Sequence, residues 1–175
     1  MLVNKKHALG SRMRMQGILT IHVRDAKTTN VLRTIIKRNT ITFSAGDVVR
    51  ALLAQRATDA SAAELCLGSM RFGISSTTPT RYDTDLQSEI STVRRELTDD
   101  KKVNGVTGEI SLRATMEASA GNGYTYREAG LFTKGTVWDA AVGGNLQCFS
   151  RQVHAAVEKT ASLALEYNWV LQFTV

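Results

Sequence analysis

From residue 163 to residue 175 the chain alternates with period two: Leu163, Leu165, Tyr167, Trp169, Leu171, Phe173 and Val175 occupy every second position. Between them stand Ala164, Glu166, Asn168, Val170, Gln172 and Thr174, smaller or polar with Val170 the one large exception. Successive side chains of a strand point to opposite faces, so the run predicts a long strand. One face lies on a core and the other meets water or a partner. Such a face must be buried against a second layer, which makes the chain a sheet-based scaffold.

Shorter segments follow the same logic. Ile18, Leu19, Ile21 and Val23 predict a strand, and Val31 to Lys37 a returning one. Residues 25–30 between them (Asp-Ala-Lys-Thr-Thr-Asn) are rich in side chains that bond their own backbone, the signature of a hairpin turn. Further strands are expected at 70–74, 90–97, 109–116 and 145–153, with Ile110, Leu112, Ala114 and Met116 on one face of the third. Loops or turns are expected at 75–85 (around Pro79), 99–105, 119–123 and Gly143-Gly144. One helix interrupts the pattern. Ser44 can cap it with Asp47 three residues on, Val48, Val49, Leu52 and Leu53 form its apolar stripe, and Arg50 and Arg56 face away. Residues 57–64 read as a mobile polar loop or a weak helical turn. The expected fold is mainly β, an antiparallel β-sandwich with one short packed α-helix at about 44–57. It occupies a single domain, 17–175, preceded by an extended basic arm, 1–16.

Length and composition agree with a self-sufficient core: 175 residues, 43% of them hydrophobic, with one proline and thirteen glycines. No apolar run approaches the roughly 18 residues that span a bilayer. The basic N-terminus lacks the apolar centre of a signal peptide, so the sequence predicts a soluble chain that stays in the cytoplasm where it is made. Charge is unevenly placed. Residues 1–56 hold eleven Lys/Arg against two acids (+9), whereas the rest hold eleven against fourteen (−3). Cys66 and Cys148 lie far apart in apolar surroundings and read as buried free thiols.

Candidate chemistry is sparse. His7, His22 and His154 lack the spacing of a metal site. Asp83/Asp85 and Asp99/Asp100 sit in turn-rich stretches where aspartate caps backbone amides. Gly121-Asn122-Gly123 and Gly143-Gly144 lack the lysine of a phosphate-binding loop and read as turns. The sequence therefore points to no enzyme, cofactor, metal or small-molecule substrate, and to no membrane. Nucleic acid is the rival partner: Lys5, Lys6, Arg12, Arg14, Arg24, Lys27, Arg33, Lys37 and Arg38 would neutralise phosphates if gathered on one face. Phe43 is the only aromatic residue among the first 56, which weighs against base stacking, and a solvated basic face or a contact to acidic partner chains is the favoured reading.

The most informative constellation is Tyr126-Arg127-Glu128-Ala129-Gly130-Leu131-Phe132. On a strand Arg127 and Glu128 point to opposite faces and need separate partners, while Gly130 permits a bulge or close backbone approach that turns Leu131 and Phe132 inward. Together with 149–153 (Phe-Ser-Arg-Gln-Val, containing Arg151), Glu158-Lys159-Thr160 and 165–169 (containing Trp169), this segment resembles a pattern in small tailed-bacteriophage structural proteins. The strand at 19–26, Asn39 and Gly46 before the helix, and 70–73 extend the resemblance over most of 17–175. It implies a virion component of tail, baseplate or fibre-attachment type, with head decoration as an alternative. Such a component is made in the host cytoplasm and assembles with itself and other virion proteins. A basic DNA- or RNA-binding accessory protein is the competing class. The arm lies outside the resemblance, and Lys5, Lys6, Arg12 and Arg14 are its candidate contacts to a neighbouring chain.

Overall fold

The computed structural model describes residues 14–53, 66–97, 101–104, 107–136 and 146–174. The alternating segments become strands. β1 (Arg14–Asp25) and β2 (Val31–Ile41) form the expected hairpin, in register from Gly17↔Asn39 to Val23↔Arg33. Its turn is tied by one carboxylate: Asp25 Oδ1 accepts from the amides of Lys27 and Thr28 at 2.9 and 2.8 Å and from the Thr28 hydroxyl at 3.0 Å. β3 (Leu67–Gly73), β4 (Arg95–Glu96), β5 (Lys101–Asn104), β6 (Glu109–Met116), β7 (Thr125–Thr136), β8 (Leu146–Glu158) and β9 (Leu163–Thr174) follow.

All nine strands belong to one antiparallel sheet of order β4-β3-β7-β8-β2-β1-β9-β6-β5. The sheet folds over at β2, which pairs with β1 along most of its length and with β8 only at Thr40↔Arg151 and Ile41↔Ser150. At the far side Arg95 Nε of β4 donates to Thr115 O of β6 at 3.0 Å, so the two halves nearly close into a sandwich-like barrel. The expected mainly-β fold with one short helix is therefore the fold observed. Helix α1 (Phe43–Leu53) packs on β8, and Ala45 and Val48 are buried there.

The core lies between the halves. Leu19, Ile21 and Val23 of β1, Leu112, Ala114 and Met116 of β6, and Leu165, Tyr167, Trp169 and Leu171 of β9 face Met70 and Phe72 of β3 and Tyr126, Ala129 and Leu131 of β7. Phe72 meets Tyr167 with ring centroids 4.7 Å apart, and Tyr126 edge-on at 6.4 Å. Among the described residues no helix is long and apolar enough to cross a membrane.

Four expectations need correction. The strand expected at 90–97 is a 3₁₀ turn (Ser91–Val93) followed by the two-residue β4, because Ile90, Val93 and Leu97 reach the core at three- and four-residue spacing, the period of a turn and not of a strand. The turn expected at 99–105 contains β5, a polar strand at the sheet's outer edge, where apolar alternation is not required. The helix starts at Phe43, so Ser44 lies inside its first turn. Thr42 precedes it, and its hydroxyl donates to the carbonyls of Cys148 and Phe149. The sheet also claims the end of the expected arm, since Arg14, Met15 and Gln16 pair with Thr174, Phe173 and Gln172. The expected loop at 57–64 and turns at Asp99-Asp100 and Gly143-Gly144 fall outside the described residues, as do His7 and Arg56.

Candidate assembly site

Three neighbouring strands depart from the one-face-buried pattern. β3 from Gly68 to Gly73, β7 from Glu128 to Thr133, and β8 from Gln147 to Gln152 are buried at every residue. One face meets the core; a strap formed by residues 74–90 crosses the other. Beneath it lies a small apolar cluster of Leu86, Phe132 and Cys148, and burial pushes the Cys148 thiol up to about 12. The remaining space under the strap is filled by charge.

Glu128 and Arg151 are fully buried and form the centre of this network. Arg151 Nε and Nη2 reach Glu128 Oε2 at 2.9 and 2.8 Å, Nη1 donates to Asp83 Oδ2 at 2.8 Å, and Nη2 donates to the Thr77 carbonyl at 3.0 Å. Glu128 in turn accepts from the amides of Ser75 (3.4 Å), Gln87 (3.2 Å) and Ser88 (2.8 Å). The two side chains thus grip both ends and the middle of the strap. Burial opposes the Arg151 charge, but hydrogen bonds to Asp83 and Glu128 outweigh it and hold the guanidinium above its ordinary value. Burial likewise opposes the Asp83 charge, and the Thr80 amide and Arg151 outweigh that, so its carboxyl sits below the usual range. Beside this centre Arg71 lies 4.1 Å over the Phe132 ring and 3.5 Å from Glu89, which Arg94 also engages at 2.6 Å.

Local sequence makes room for the network. A Cβ at Gly73 would stand 2.4 Å from Ser88 O and 2.5 Å from Glu128 Oε1, so only glycine lets the strap lie against the strand there. A Cβ at Gly130 would meet the Phe132 ring at 2.8 Å and Leu86 at 2.9 Å. The ladder shifts beside it, Leu131 facing Ser150 and Phe132 facing Cys148, which leaves Phe149 as the extra residue of a bulge on β8. Close approach and bulge therefore both occur, with the bulge on the partner strand.

The strap's tip carries the exposed groups. Phe43 and Tyr82 are 52% and 74% exposed and pack edge-on with centroids 5.1 Å apart. The Arg81 guanidinium sits 5.4 Å from the Phe43 ring, and the Phe43 amide donates to Arg81 O at 2.8 Å, which joins the helix start to the strap. Beside them opens a groove of about 480 Å³, lined by Met15 to Gly17, Arg38 to Ile41 and Pro79 to Arg81. The Asn39 side chain lies over Gly17 at its edge and donates to Ser150 Oγ.

A second clamp holds the opposite end of β7 and β8. Lys159 is fully buried, and its Nζ donates to Asn122 Oδ1 (2.9 Å), Thr160 O (3.0 Å) and Ala118 O (3.4 Å). The Tyr126 hydroxyl donates to Gly121 O at 2.9 Å, fixing the same turn at 117–124. Burial lowers the Lys159 value and raises Tyr126 to about 12.

The expected site residues thus fall into separate places. Glu128, Gly130, Phe132 and Arg151 meet under the strap, Tyr126 and Lys159 hold the far turn, Trp169 and Leu131 are in the core, and Arg127 is exposed. Lys5, Lys6 and Arg12 lie outside the described residues; Arg14 is the first residue of β1. Of the histidines, His154 is buried against Tyr167 and His22 pairs with Thr34 Oγ1 at 3.1 Å on the open face. Cys66 is half-buried and not buried as expected, and neither cysteine forms a disulfide. Sequence reasoning missed Arg71, Glu89, Arg81, Phe43 and Tyr82. Their one sequence signal is charge and aromatic content flanking a proline loop. In comparisons with known proteins the chain matches no family model, no curated protein and no solved structure.

Proposed function

We propose that the chain is a non-enzymatic structural or adaptor component of a tailed-phage virion, of tail, baseplate or fibre-attachment type. It works by symmetric assembly with copies of itself and with other virion proteins. The observation that carries this reading is the use made of the motif's buried charges. Glu128, Arg151 and Lys159 each tie a loop to the sheet. Loops fixed before docking lose less conformational freedom on association, which is what an assembly component needs. The exposed Arg81 and Tyr82 of the fixed strap, with Phe43 of the helix start packed beside them, have the composition of interface anchors.

The experiment is a pair of solution masses by light scattering, for the native chain and for Phe43→Ala/Tyr82→Ala. Both side chains are mostly exposed, so the double variant retains its melting temperature, and it loses the oligomer that the native chain forms. A double variant with unchanged oligomeric mass sinks the assignment of this surface.

A further inference from the structure

β2 joins the two halves of the sheet, pairing with β1 for most of its length and with β8 only at its end. Over residues 31–39 it pairs with β1 on one side, and among the described residues no strand pairs with its other side until Thr40. That length is an open sheet edge, a row of backbone donors and acceptors ready to accept another strand. It is also the most apolar exposed strand: Val31, Leu32 and Ile36 are 45, 59 and 65% exposed.

Three exposed cations, Arg33, Lys37 and Arg38, are interleaved with those apolar side chains. Their β1 neighbours are Val23, Leu19 and Ile18, none able to neutralise them, and the strand itself contains no acid. None of the ion pairs among the described residues includes them. Arg33 instead donates to the Ala156 carbonyl of β8 at 3.3 Å, reaching across the seam where β2 and β8 have parted.

We propose that this edge is a strand-acceptor site for an extended acidic segment of another protein, one that alternates carboxylate and apolar side chains. Main-chain hydrogen bonds along β2 supply affinity, and Arg33 and Lys37 on one face of the strand with Leu32 and Ile36 on the other supply selectivity, Arg38 adding charge beside Ile36. A second copy of this chain is the disfavoured occupant. Two β2 edges would bring three cations from each copy into one seam holding no carboxylate, and like charges across a strand pair are destabilising. The inference stands on the edge itself and is independent of the virion reading.

The test uses the full chain and a short fluorescent peptide of alternating glutamate and valine, followed by anisotropy and by amide hydrogen exchange. The peptide binds saturably and slows exchange within residues 31–39. Lys37→Glu/Arg38→Glu weakens it at least tenfold while the melting temperature holds, and a lysine–valine peptide does not bind. Unchanged exchange in β2 at saturating peptide overturns the proposal, as does equal binding of the lysine peptide. Protection of β2 that appears without peptide and vanishes on dilution assigns the edge to a second copy and overturns it too.

Discussion

The two halves of the sheet solve the same burial problem differently. In the half containing β1, β9 and β6, one face packs on the core. The other carries half-buried or exposed groups such as His22, Arg24, Glu166, Asn168 and Arg113. Its Arg24–Glu166 pair at 3.4 Å keeps contact with water. In the half containing β3, β7 and β8, a strap covers the second face, and the charges there are sealed in. The same residue types therefore act unlike each other. An ion pair on the open face adds little, whereas Arg151–Glu128 must stay complete because neither charge can return to water while the strap is down.

Breaking the closed half should give the largest effect. Glu128→Ala leaves the Arg151 charge buried beside only Asp83 and the Thr77 carbonyl, and should cost about 3–5 kcal/mol in urea unfolding. A loss below that of an exposed pair would mean that water reaches the network. Trp169→Ala, deleting the largest fully buried side chain from the shared core, should cost a similar 3–5 kcal/mol or so and lower the melting temperature accordingly.

His154 sharpens the comparison through pH. Burial, helped by the Arg33 and Lys37 charges and opposed by the Ala155 carbonyl and Glu128, lowers its value from 6.5 to about 4. Between those two values the unfolded chain binds the extra proton, so stability falls as pH drops from 6.5 toward 4. The loss amounts to about 3 kcal/mol. His154→Gln should flatten that part of a stability–pH curve, and an unaltered slope would assign it to other groups.

Lys159→Met keeps the buried stem and removes the donors to the turn at 117–124. It should cost about 1–3 kcal/mol and speed amide exchange in that turn more than elsewhere. The smallest effect belongs to the open half: Glu166→Ala should change stability by about 1 kcal/mol or less, checked by the same denaturation. If Glu166→Ala proved as costly as Glu128→Ala, the distinction between the halves would collapse.

The same contrast explains what the sequence discloses. β6 and β9, each with one bare face, are legible residue by residue, and the hairpin turn follows from Asp25 and Thr28. β7 from Glu128 to Thr133 is not, because burial on both faces erases alternation. The motif shows that Arg127 and Glu128 must seek different partners. It cannot show that Glu128 finds Arg151 across a bulged ladder, since no local spacing reports that pairing. Asp83 was expected to cap its own loop; it does accept from the Thr80 amide at 3.0 Å, and it takes Arg151 as well. Phe43, Arg81 and Tyr82 carry no period at all. Their proximity is created by the strap, which the charges beneath it hold in place.

The most direct measurement is the mass of the purified chain by light scattering at low and high salt, with its 260/280 nm absorbance ratio. The account predicts one oligomer, of equal mass at both salts and free of nucleic acid. A chain that stays monomeric at every concentration, or that carries nucleic acid at low salt and sheds it at high salt, would contradict it.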